Sequence, residues 1–319
     1  MRFSALGPFI LGLGALVLTL LCLFAGSTKS FLTDYSLITV NTSQIGSNLL
    51  DSSYVNSNSQ LSDIIDALPS DIKDDADALL NTVIRQLGIH DFYSANLMTY
   101  CEGYYEPAAV PNATVTASSI TKNVTYCSPR TADFQFDPRA ALQRDLDASG
   151  NSWLDASADL DWPDKVEEGI DAVHVVQRAA FILYCIATGL CGLSAIASLL
   201  TVFASSGGGR ACACGDLLLA ALAFLAALAA SALATAVAEV GARAVDQYGG
   251  QVGISAGAGR RFMGLTWGAT GAMLVCVVWW SVDCCCCCCG GGGRRKGGRK
   301  AGAFGRGEKM GKYDSGTSV

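Results

Sequence analysis

Hydrophobic and polar positions are strongly segregated along the chain, and four long apolar runs dominate the pattern. Each run is long enough to cross a bilayer as a helix, which takes about 20 residues. Charged side chains lie only at their ends, at Asp216, Glu239 and Asp283. The pattern predicts an all-α membrane protein built on a four-helix transmembrane bundle. The runs cover about residues 6–25, 179–204, 217–240 and 262–282.

The first run has a second interpretation. Arg2, an apolar stretch and the small residues Ala25, Gly26 and Ser27 are also typical of a cleavable signal peptide. The apolar core of a signal peptide is usually about 7–15 residues long, and this run is longer. We therefore expect a retained transmembrane helix, with cleavage as the alternative.

Composition and charge support membrane insertion and predict its orientation. Hydrophobic residues make up 51% and charged residues 16% of the 319 positions, whereas soluble domains are about 25% charged. The net charge of −6 hides two opposite blocks: residues 27–177 carry 22 acidic and 8 basic side chains, and residues 290–319 carry 2 and 8. Because Lys and Arg beside a span stay in the cytosol, the tail is predicted inside and the acidic block outside.

Four spans place both chain ends on the cytosolic side. In this topology Arg243, Arg260 and Arg261 lie outside, against the tendency of basic residues beside a span to stay in the cytosol. The tail is far more basic and should decide the orientation. The predicted organisation is a cytosolic N-terminus at 1–5, helix 1 at 6–25, an extracellular domain at 26–178, helix 2 at 179–204, a cytosolic loop at 205–216, helix 3 at 217–240, an extracellular loop at 241–261, helix 4 at 262–282 and a cytosolic Cys-rich, basic tail at 283–319.

Sequons and cysteines agree with an outward acidic block. N-glycosylation sequons occur at Asn41, Asn112 and Asn123, all within it. A single sequon is weak evidence, and the shared location is what supports a secretory-pathway protein. Of 14 cysteines, only Cys101 and Cys127 lie in the block. Since exposed thiols in an oxidising compartment normally pair, we predict a disulfide worth about 3 kcal/mol, with two unpaired thiols as the alternative.

The extracellular block has a mixed α/β pattern. An N-cap at Ser70, apolar residues at near-helical spacing and Gly88 predict an amphipathic helix over 71–87. Aromatic and β-branched residues predict short strands around Cys101–Cys127. The pattern is helical again over 138–176. The sequence thus predicts a mixed α/β, disulfide-closed extracellular domain above the bundle.

Little in the chain points to catalysis or metal binding. His90 and His174 are the two histidines. The segment starting at Asp145 resembles the opening of a calcium-binding loop, but its twelfth position is Ala156 instead of the bidentate Glu that calcium needs. We expect no cofactor, no metal and no enzymatic activity.

Several short segments, together with four spans and a large first outer loop, resemble the fungal Sur/PalI family of claudin-like tetraspan membrane proteins. The resemblance runs over about residues 6–283. The segments are Asp91-Phe92-Tyr93-Ser94, Tyr100-Cys101-Glu102-Gly103-Tyr104, Asn123-Val124-Thr125-Tyr126-Cys127-Ser128, Phe136-Asp137-Pro138 and Leu160-Asp161-Trp162-Pro163.

This resemblance implies a plasma-membrane protein of the cortical patches called eisosomes, with roles in membrane organisation, endocytosis and the cell wall. The PalI branch implies instead an accessory of ambient-pH sensing, usually with a long hydrophilic tail, and the short tail here favours the eisosomal branch. Claudins carry Gly-Leu-Trp-x-x-Cys, whereas this chain has Asn96-Leu97-Met98-Thr99-Tyr100-Cys101. That departure argues against junction or pore chemistry of the claudin type.

The predicted inner edge of the membrane carries a run of six cysteines. Cysteines beside a membrane suit reversible palmitoylation, whereas zinc sites need spacers between ligands and disulfides are disfavoured in the cytosol. The alternative is a low-complexity end of the helix. Cys212 and Cys214 in the loop at 205–216 are secondary acylation candidates. The run is Cys284, Cys285, Cys286, Cys287, Cys288 and Cys289.

A basic cluster follows the cysteines and is predicted to contact anionic lipid headgroups. Each Lys or Arg near an anionic leaflet contributes about 1 kcal/mol of attraction. The alternative is retention of the tail in the cytosol alone, and nucleic-acid binding is not expected so close to the bilayer. The cluster consists of Arg294, Arg295, Lys296, Arg299 and Lys300.

Small residues in the spans predict close helix packing. Gly264, Gly268 and Ala272 form a small-xxx-small stripe, which we interpret as a helix-packing and self-association face. Trp279 and Trp280 are predicted to mark the inner interfacial belt. We therefore expect homo- or hetero-oligomers with membrane or eisosome proteins. A transporter or channel is a weaker hypothesis, because ion paths call for ionisable residues inside the spans.

Overall fold

The computed structural model describes seven stretches of the chain, and structural statements below concern these alone. They contain five α-helices and a five-stranded sheet. The helices are α1 (Leu6–Phe24), α2 (Pro138–Ala148), α3 (Asp164–Phe203), α4 (Gly209–Gly249) and α5 (Arg260–Cys289). The strands are β1 (Ile38–Asn41), β2 (Phe92–Ala95), β3 (Tyr100–Glu106), β4 (Thr121–Cys127) and β5 (Ser255–Ala258). The described residues are 3–43, 84–107, 116–132, 134–150, 164–203, 209–249 and 253–289.

Four helices are long and apolar enough to cross a membrane, as the sequence predicts. The membrane-length stretches are Leu6–Phe24 in α1, Val173–Phe203 in α3, Ala213–Gln247 in α4 and Arg260–Cys285 in α5. Helices α3 and α4 extend beyond the apolar runs at 179–204 and 217–240. Hydropathy marks only the part of each helix that is suited to lipid, whereas the hydrogen-bonded helix continues through polar residues.

The four long helices form a closed ring in which α1 contacts α3 and α5, and α4 contacts α3 and α5. Buried positions recur at alternating steps of three and four residues along each helix. This heptad spacing keeps one face of a helix toward its neighbours and is typical of coiled-coil-like bundles. In α4 the series runs through Asp216, Ala220, Ala223, Ala227, Ala230, Ala234 and Val237, and Ser231 and Ala238 beside it are buried as well. In α5 the series runs through Phe262, Thr266, Ala269, Met273, Cys276 and Trp280, and Thr270 is buried as well.

The distribution of residue sizes in the bundle is that of a membrane protein. Small and hydroxyl-bearing side chains occupy most of the buried positions, beside a few large ones such as Tyr184, Phe262 and Trp280. Small interior side chains let the helix backbones approach closely. Many large aliphatic side chains point outward, where they would contact lipid rather than water. Examples of exposed side chains are Ile10, Leu13, Ile186, Leu193, Leu200, Leu222, Leu225, Val275 and Val278.

A domain built on an antiparallel sheet lies at one end of the bundle. Its strand order is β4-β3-β2-β1-β5, with all neighbours antiparallel. β5 comes from the segment between α4 and α5, whereas β1 to β4 come from the segment between α1 and α3. The two predicted extracellular segments, 26–178 and 241–261, therefore share one sheet on one side of the bundle.

The sheet and the bundle share a continuous core. Leu37 and Leu97 pack in one cluster with Tyr184, Val237 and Phe262 of the membrane helices. Because apolar contacts link both parts, the sheet domain is held in place by the bundle.

A glycine makes the turn from α1 into the sheet domain. Gly26 has φ of +67°, a left-handed conformation that favours glycine. A Cβ there would lie 2.1 Å from Nδ2 of Asn96, so the close approach also requires a residue without a side chain.

The predicted helix over 71–87 falls largely on residues outside the described ranges, and residues 84–86 of it are helical. The predicted helical pattern over 138–176 forms two helices, α2 and the beginning of α3. Strands β3 and β4 lie where strands are predicted around Cys101–Cys127.

Candidate functional site

A buried polar network joins α2 to the inner part of the sheet. β3 contributes Tyr100 and Glu102, and a bulge follows between Glu102 and Gly103. β2 contributes Tyr93, with His90 just before the strand. Adjacent positions 144 and 145 of α2, an arginine and an aspartate, complete the network. We call this set of six side chains the Arg144 network.

Arg144 is the centre of the network. Its guanidinium donates hydrogen bonds to the Tyr100 hydroxyl and to carboxylates of Glu102 and Asp145. It also lies 4.7 Å from the ring centroid of Tyr126, a cation–π distance. The planar guanidinium suits this arrangement, because its five N–H groups can serve two carboxylates at once.

Asp145 receives donors from three directions. Its Oδ2 accepts a 2.5 Å hydrogen bond from the Tyr93 hydroxyl and lies 2.8 Å from His90 Nδ1, while Oδ1 accepts from Arg144. Burial alone would raise the pKa of Asp145, but the hydrogen bonds from His90, Tyr93 and Arg144 outweigh it and hold the pKa below its ordinary value. Asp145 is therefore an ionised carboxylate stabilised by its donors.

Glu102 shows the opposite balance. Its side chain is 2% exposed, and Oε2 has no hydrogen-bond partner. Burial raises the pKa of Glu102 above its ordinary value, although the Arg144 hydrogen bond opposes the shift. The two carboxylates shift in opposite directions because Asp145 has three donors and Glu102 has one oxygen without any.

Burial of the network also affects its tyrosines. Burial first, and then the Asp145 charge, raise the pKa of Tyr93 well above 10. Burial raises the pKa of Tyr100 to about 12, against the lowering effect of Arg144. Both phenols therefore remain neutral hydrogen-bond donors or acceptors at physiological pH.

Three potential metal ligands meet here, although the sequence analysis predicts no metal. Ligand atoms of His90, Glu102 and Asp145 all lie within 4.8 Å of one another. Arg144 already bonds to both carboxylates and supplies the positive charge that a cation would bring. The arrangement is therefore better described as a buried ion-pair network than as a metal centre.

The predicted cysteine pair lies at the edge of the same sheet. The sulfurs of Cys101 and Cys127 are 2.06 Å apart, a disulfide bond. The two residues are opposite one another in the β3–β4 register. The bond therefore joins strands that already pair and closes the loop that carries Asn123.

The sequons differ in their surroundings. Asn123 is exposed on edge strand β4, and its Nδ2 donates to Glu106 Oε1 at 2.7 Å. Asn41 is half-buried in β1, and its Oδ1 accepts from the Ser43 amide at 3.0 Å. Asn112 lies outside the described residues. The geometry thus favours Asn123 over Asn41 as a glycan acceptor.

Two of the three outer arginines, Arg243 and Arg261, have acidic partners. Arg261 at the start of α5 forms an ion pair with Asp34, and Arg243 lies 3.6 Å from Glu239. These partners compensate the positive charges that the predicted topology leaves on the outer side.

At the other end of the bundle the structure describes only part of the predicted cysteine and lipid site. Residues 284–289 form the last turns of α5, and the side chains of Cys284 and Cys285 are described. The side chains of Cys286, Cys287, Cys288 and Cys289 lie outside the described set, as do Arg294, Arg295, Lys296, Arg299 and Lys300. Acylation and headgroup contact therefore stay predictions.

The predicted glycine stripe does not form a seam between helices of one copy. Gly264 and Gly268 are exposed, and a Cβ at Gly264 would meet nothing within 4 Å. A Cβ at Gly268 would lie 3.6 Å from Leu18, and Ala272 is half-buried against the bundle core. Self-association through this stripe stays a prediction.

The two tryptophans of α5 have different environments. Trp279 is 42% exposed, as an interfacial residue would be, but Trp280 is 1% exposed inside the bundle. Adjacent helix positions point about 100° apart, and here Trp280 lies on the face that packs against the bundle. The prediction of a two-residue belt is therefore wrong for Trp280.

A chain of hydroxyl groups links three helices inside the bundle. The Tyr184 hydroxyl lies 2.6 Å from Thr266 Oγ1, which lies 2.6 Å from Ser231 Oγ. Ser231 is also 2.9 Å from Thr270 Oγ1. Such bonds between membrane helices contribute about 0.6 kcal/mol each on average.

Asp216 is buried, although it lies at the end of an apolar run in the sequence. Helix α4 begins two turns earlier, at Gly209, and Asp216 faces α3. Its Oδ2 accepts a 2.6 Å hydrogen bond from Thr201.

Sequence reasoning missed the Arg144 network. Arg144 and Asp145 are adjacent charges in an acidic segment, and nothing in their spacing indicates burial. Some signal was present, because Tyr93, Tyr100 and Glu102 lie in the segments that carry the family resemblance.

Comparisons with known proteins agree with that resemblance. Residues 4–279 match the family described as the SUR7/PalI family. The chain is also similar to the SUR7 family protein pun1 of Schizosaccharomyces pombe, with 26% identity over 214 residues that cover 63% of this chain and 68% of the relative. No solved structure gives a significant match. The family predicted from short segments is therefore confirmed, and a match over nearly the whole chain makes this protein a member of the SUR7/PalI family.

Proposed function

We propose that this protein organises the plasma membrane in cortical patches of the eisosome type, with effects on membrane compartmentation, endocytosis and the cell wall. The observation that carries the proposal is the construction of the bundle. Small side chains and hydroxyl groups occupy most of its buried positions, and many large aliphatic side chains are exposed on its outer surface. Such a body is suited to lateral contacts with lipid and other membrane proteins.

The proposed topology places the sheet domain outside the cell and the end of α5 in the cytosol. Sharing of one sheet by 26–178 and 241–261 supports it, because four spans must leave these segments on the same side. Palmitoyl chains on Cys284–Cys289 and anionic lipids at Arg294–Lys300 would then hold a lipid-distinct patch beneath the protein. The proposed partners are these lipids and further copies or other membrane proteins.

Transport and catalysis are less well supported. Ion paths use several ionisable groups along a bundle. Among the described membrane-helix residues, Asp216 is the buried charged side chain, and it is bonded to Thr201. The Arg144 network pairs its carboxylates with a cation instead of activating a nucleophile. We therefore propose a non-enzymatic role without cofactors.

Imaging of a tagged full-length copy in living fungal cells tests the proposal. We expect long-lived cortical patches at the plasma membrane. A variant with Arg294, Arg295, Lys296, Arg299 and Lys300 changed to Gln should form fewer patches, whereas Lys309→Gln with Lys312→Gln should not. A uniform or intracellular distribution of the native chain would contradict the proposal.

Acylation is tested separately by acyl-exchange labelling. Replacing Cys284–Cys289 with Ser should abolish the label, whereas replacing Cys185, which is exposed in the middle of α3, should leave it unchanged. Unchanged labelling of the six-serine variant would refute acylation at this run.

A role as an accessory of ambient-pH sensing is the second candidate. It is favoured by the position of His90 beside Asp145, because histidine is the side-chain type whose charge ordinarily changes between about pH 5 and 8. Protonation would place a positive charge 2.8 Å from Asp145, in a network facing the proposed outer side. Capture of a receptor that depends on external pH, and is lost in His90→Gln, would support this role over patch organisation.

A further inference from the structure

Two cysteines from different helices lie side by side at the end of the bundle remote from the sheet. Cys214 is in the first turns of α4 and Cys284 is in the last turns of α5. Their sulfur atoms are 3.1 Å apart, although the residues are 70 positions apart in sequence. Neither is in a disulfide, and Cys214 is exposed while Cys284 is half-buried.

The geometry brings this pair close to bond formation. A disulfide requires sulfur atoms about 2.05 Å apart, so the sulfurs need to approach by about 1 Å. Rotation of side chains at the helix ends can supply such a movement without repacking the bundle. The exposed Cys214 also gives small oxidants access to the pair.

We propose that Cys214 and Cys284 form a reversible, oxidant-dependent disulfide that joins α4 to α5. A hydroperoxide is the proposed oxidant. One thiolate attacks a peroxide oxygen and becomes a sulfenic acid, and the O–O bond breaks to release water or an alcohol after protonation. The second thiolate then attacks the sulfenic sulfur, forms the S–S bond and releases water. The two sulfurs together lose two electrons, which reduce the peroxide.

The reverse step needs a reducing thiol such as glutathione. Its thiolate attacks the disulfide, forms a mixed disulfide and releases one cysteine, and a second thiol then releases the other with formation of glutathione disulfide. In the cytosol this keeps the pair reduced at rest. The expectation that the pair is reduced before oxidation therefore rests on the cytosolic placement of this end in the proposed function. The ability of the two sulfurs to bond rests on geometry alone.

Oxidation has a structural consequence for the bundle. The described link between α4 and α5 is the segment that carries β5, at the opposite end of both helices. A bond between Cys214 and Cys284 fixes the second end, so these helices can no longer separate there. The oxidised Cys284 sulfur is also closed to acyl transfer while the bond lasts.

The test uses the full-length chain in native membranes, with a protease site inserted between Gly249 and Gly253. After treatment with hydrogen peroxide and blocking of free thiols with N-ethylmaleimide, cleavage produces two fragments. We expect the fragments to stay linked on a non-reducing gel and to separate with dithiothreitol. Cys214→Ser and Cys284→Ser should each abolish the linked band, whereas Cys285→Ser and Cys185→Ser should retain it.

Three outcomes overturn the proposal, and they differ in meaning. Absence of linkage in the native chain, or linkage that survives Cys214→Ser, removes the assignment of this pair. A third outcome is linkage that requires both residues but is complete before any oxidant is added. It would show that the disulfide is permanent instead of oxidant-dependent, and it would also contradict the cytosolic placement of this end. Because each result has its own band pattern, failure of the pair and failure of the topology are distinguishable.

Discussion

At the scale of single residues, Arg144 decides how charge is buried in the sheet domain. Glu102 and Asp145 are 2% and 3% exposed, and each bonds to the same guanidinium. A buried carboxylate without a cation is strongly unfavourable, so one arginine makes both burials possible. The network therefore joins α2 to β3 through polar atoms, in addition to the apolar face on which α2 buries Ala141, Leu142 and Leu146.

Replacing Arg144 with Met should destabilise the protein severely. Removal of one partner from a buried ion pair costs about 3–5 kcal/mol. We expect the lower end of this range, because 36% of the Arg144 side chain is exposed. The thermal-unfolding midpoint of the full chain in detergent measures the effect. Arg243→Met is the matched control, since that side chain is 80% exposed and should change stability by less than about 1 kcal/mol. Equal shifts for both variants would contradict the assigned role.

The two carboxylates predict opposite dependences of stability on pH. The pKa of Asp145 is below its ordinary value of 3.8, so its contribution is present above that value and is lost as pH falls through the folded pKa. The pKa of Glu102 is above its ordinary value of 4.5, so its contribution is complete below 4.5 and is lost as pH rises through the folded pKa.

Unfolding midpoints measured from acidic to neutral pH test these signs. The deficit of Asp145→Asn against the native chain should shrink as pH falls below 3.8. The unfolding midpoint of Glu102→Gln should rise relative to that of the native chain as pH rises above 4.5. Parallel curves for the native chain and both variants would show that neither carboxylate is coupled to folding.

At the scale of elements, helix α4 is built around alanine. Its buried face repeats at steps of three and four, and alanine occupies most of those positions. Since lipid tails are as apolar as leucine, a large interior side chain gains little from burial in a membrane, whereas a small one permits close backbone contact. Packing therefore explains the alanine richness of α4 at the positions that are buried.

A pair of substitutions on α4 separates packing from hydropathy. Ala234→Leu places a large side chain in the core, where Ala234 is fully buried, and should cost about 1–3 kcal/mol. Ala232→Leu makes the same chemical change on an exposed position two residues away and should be nearly neutral. Thermal unfolding in detergent compares the two. A larger effect of Ala232→Leu would contradict the orientation of the helix.

At the scale of the whole molecule, the sheet makes the two loops of one side into a single domain. β1 lies between β2 and β5, so the segment after α1 pairs with the segment between α4 and α5. The resulting domain packs against residues of all four membrane helices. The shared sheet therefore places both segments on the same side of the bundle.

Glycosylation shows directly on which side of the membrane the sheet domain lies. We expect glycosidase to shift the gel mobility of the native protein, and Asn123→Gln to remove part of the shift because Asn123 is exposed on an edge strand. Asn41→Gln should leave the shift unchanged, since Asn41 is half-buried and bonded to Ser43. Absence of any shift in the native protein would count against an outward sheet domain.

Some properties of this protein were determined by its sequence alone. Membrane-length helices follow from uninterrupted apolar runs, because span length is set by bilayer thickness and needs no partner. The cysteine pair followed from composition, since Cys101 and Cys127 were the two thiols in their block. The family followed from local segments around them.

Other properties were decided only by the tertiary structure. Burial of Glu102 and Asp145 depends on contacts between residues about 40–55 positions apart, which no local pattern encodes. The exposure of Gly264 and the burial of Trp280 depend on how α5 rotates against its neighbours, and a helix that is apolar all round does not reveal that rotation. The pairing of β5 with β1, and the meeting of Cys214 with Cys284, required four helices to close into a ring. Hydropathy gives the number of spans, whereas only packing decides which faces of those spans meet.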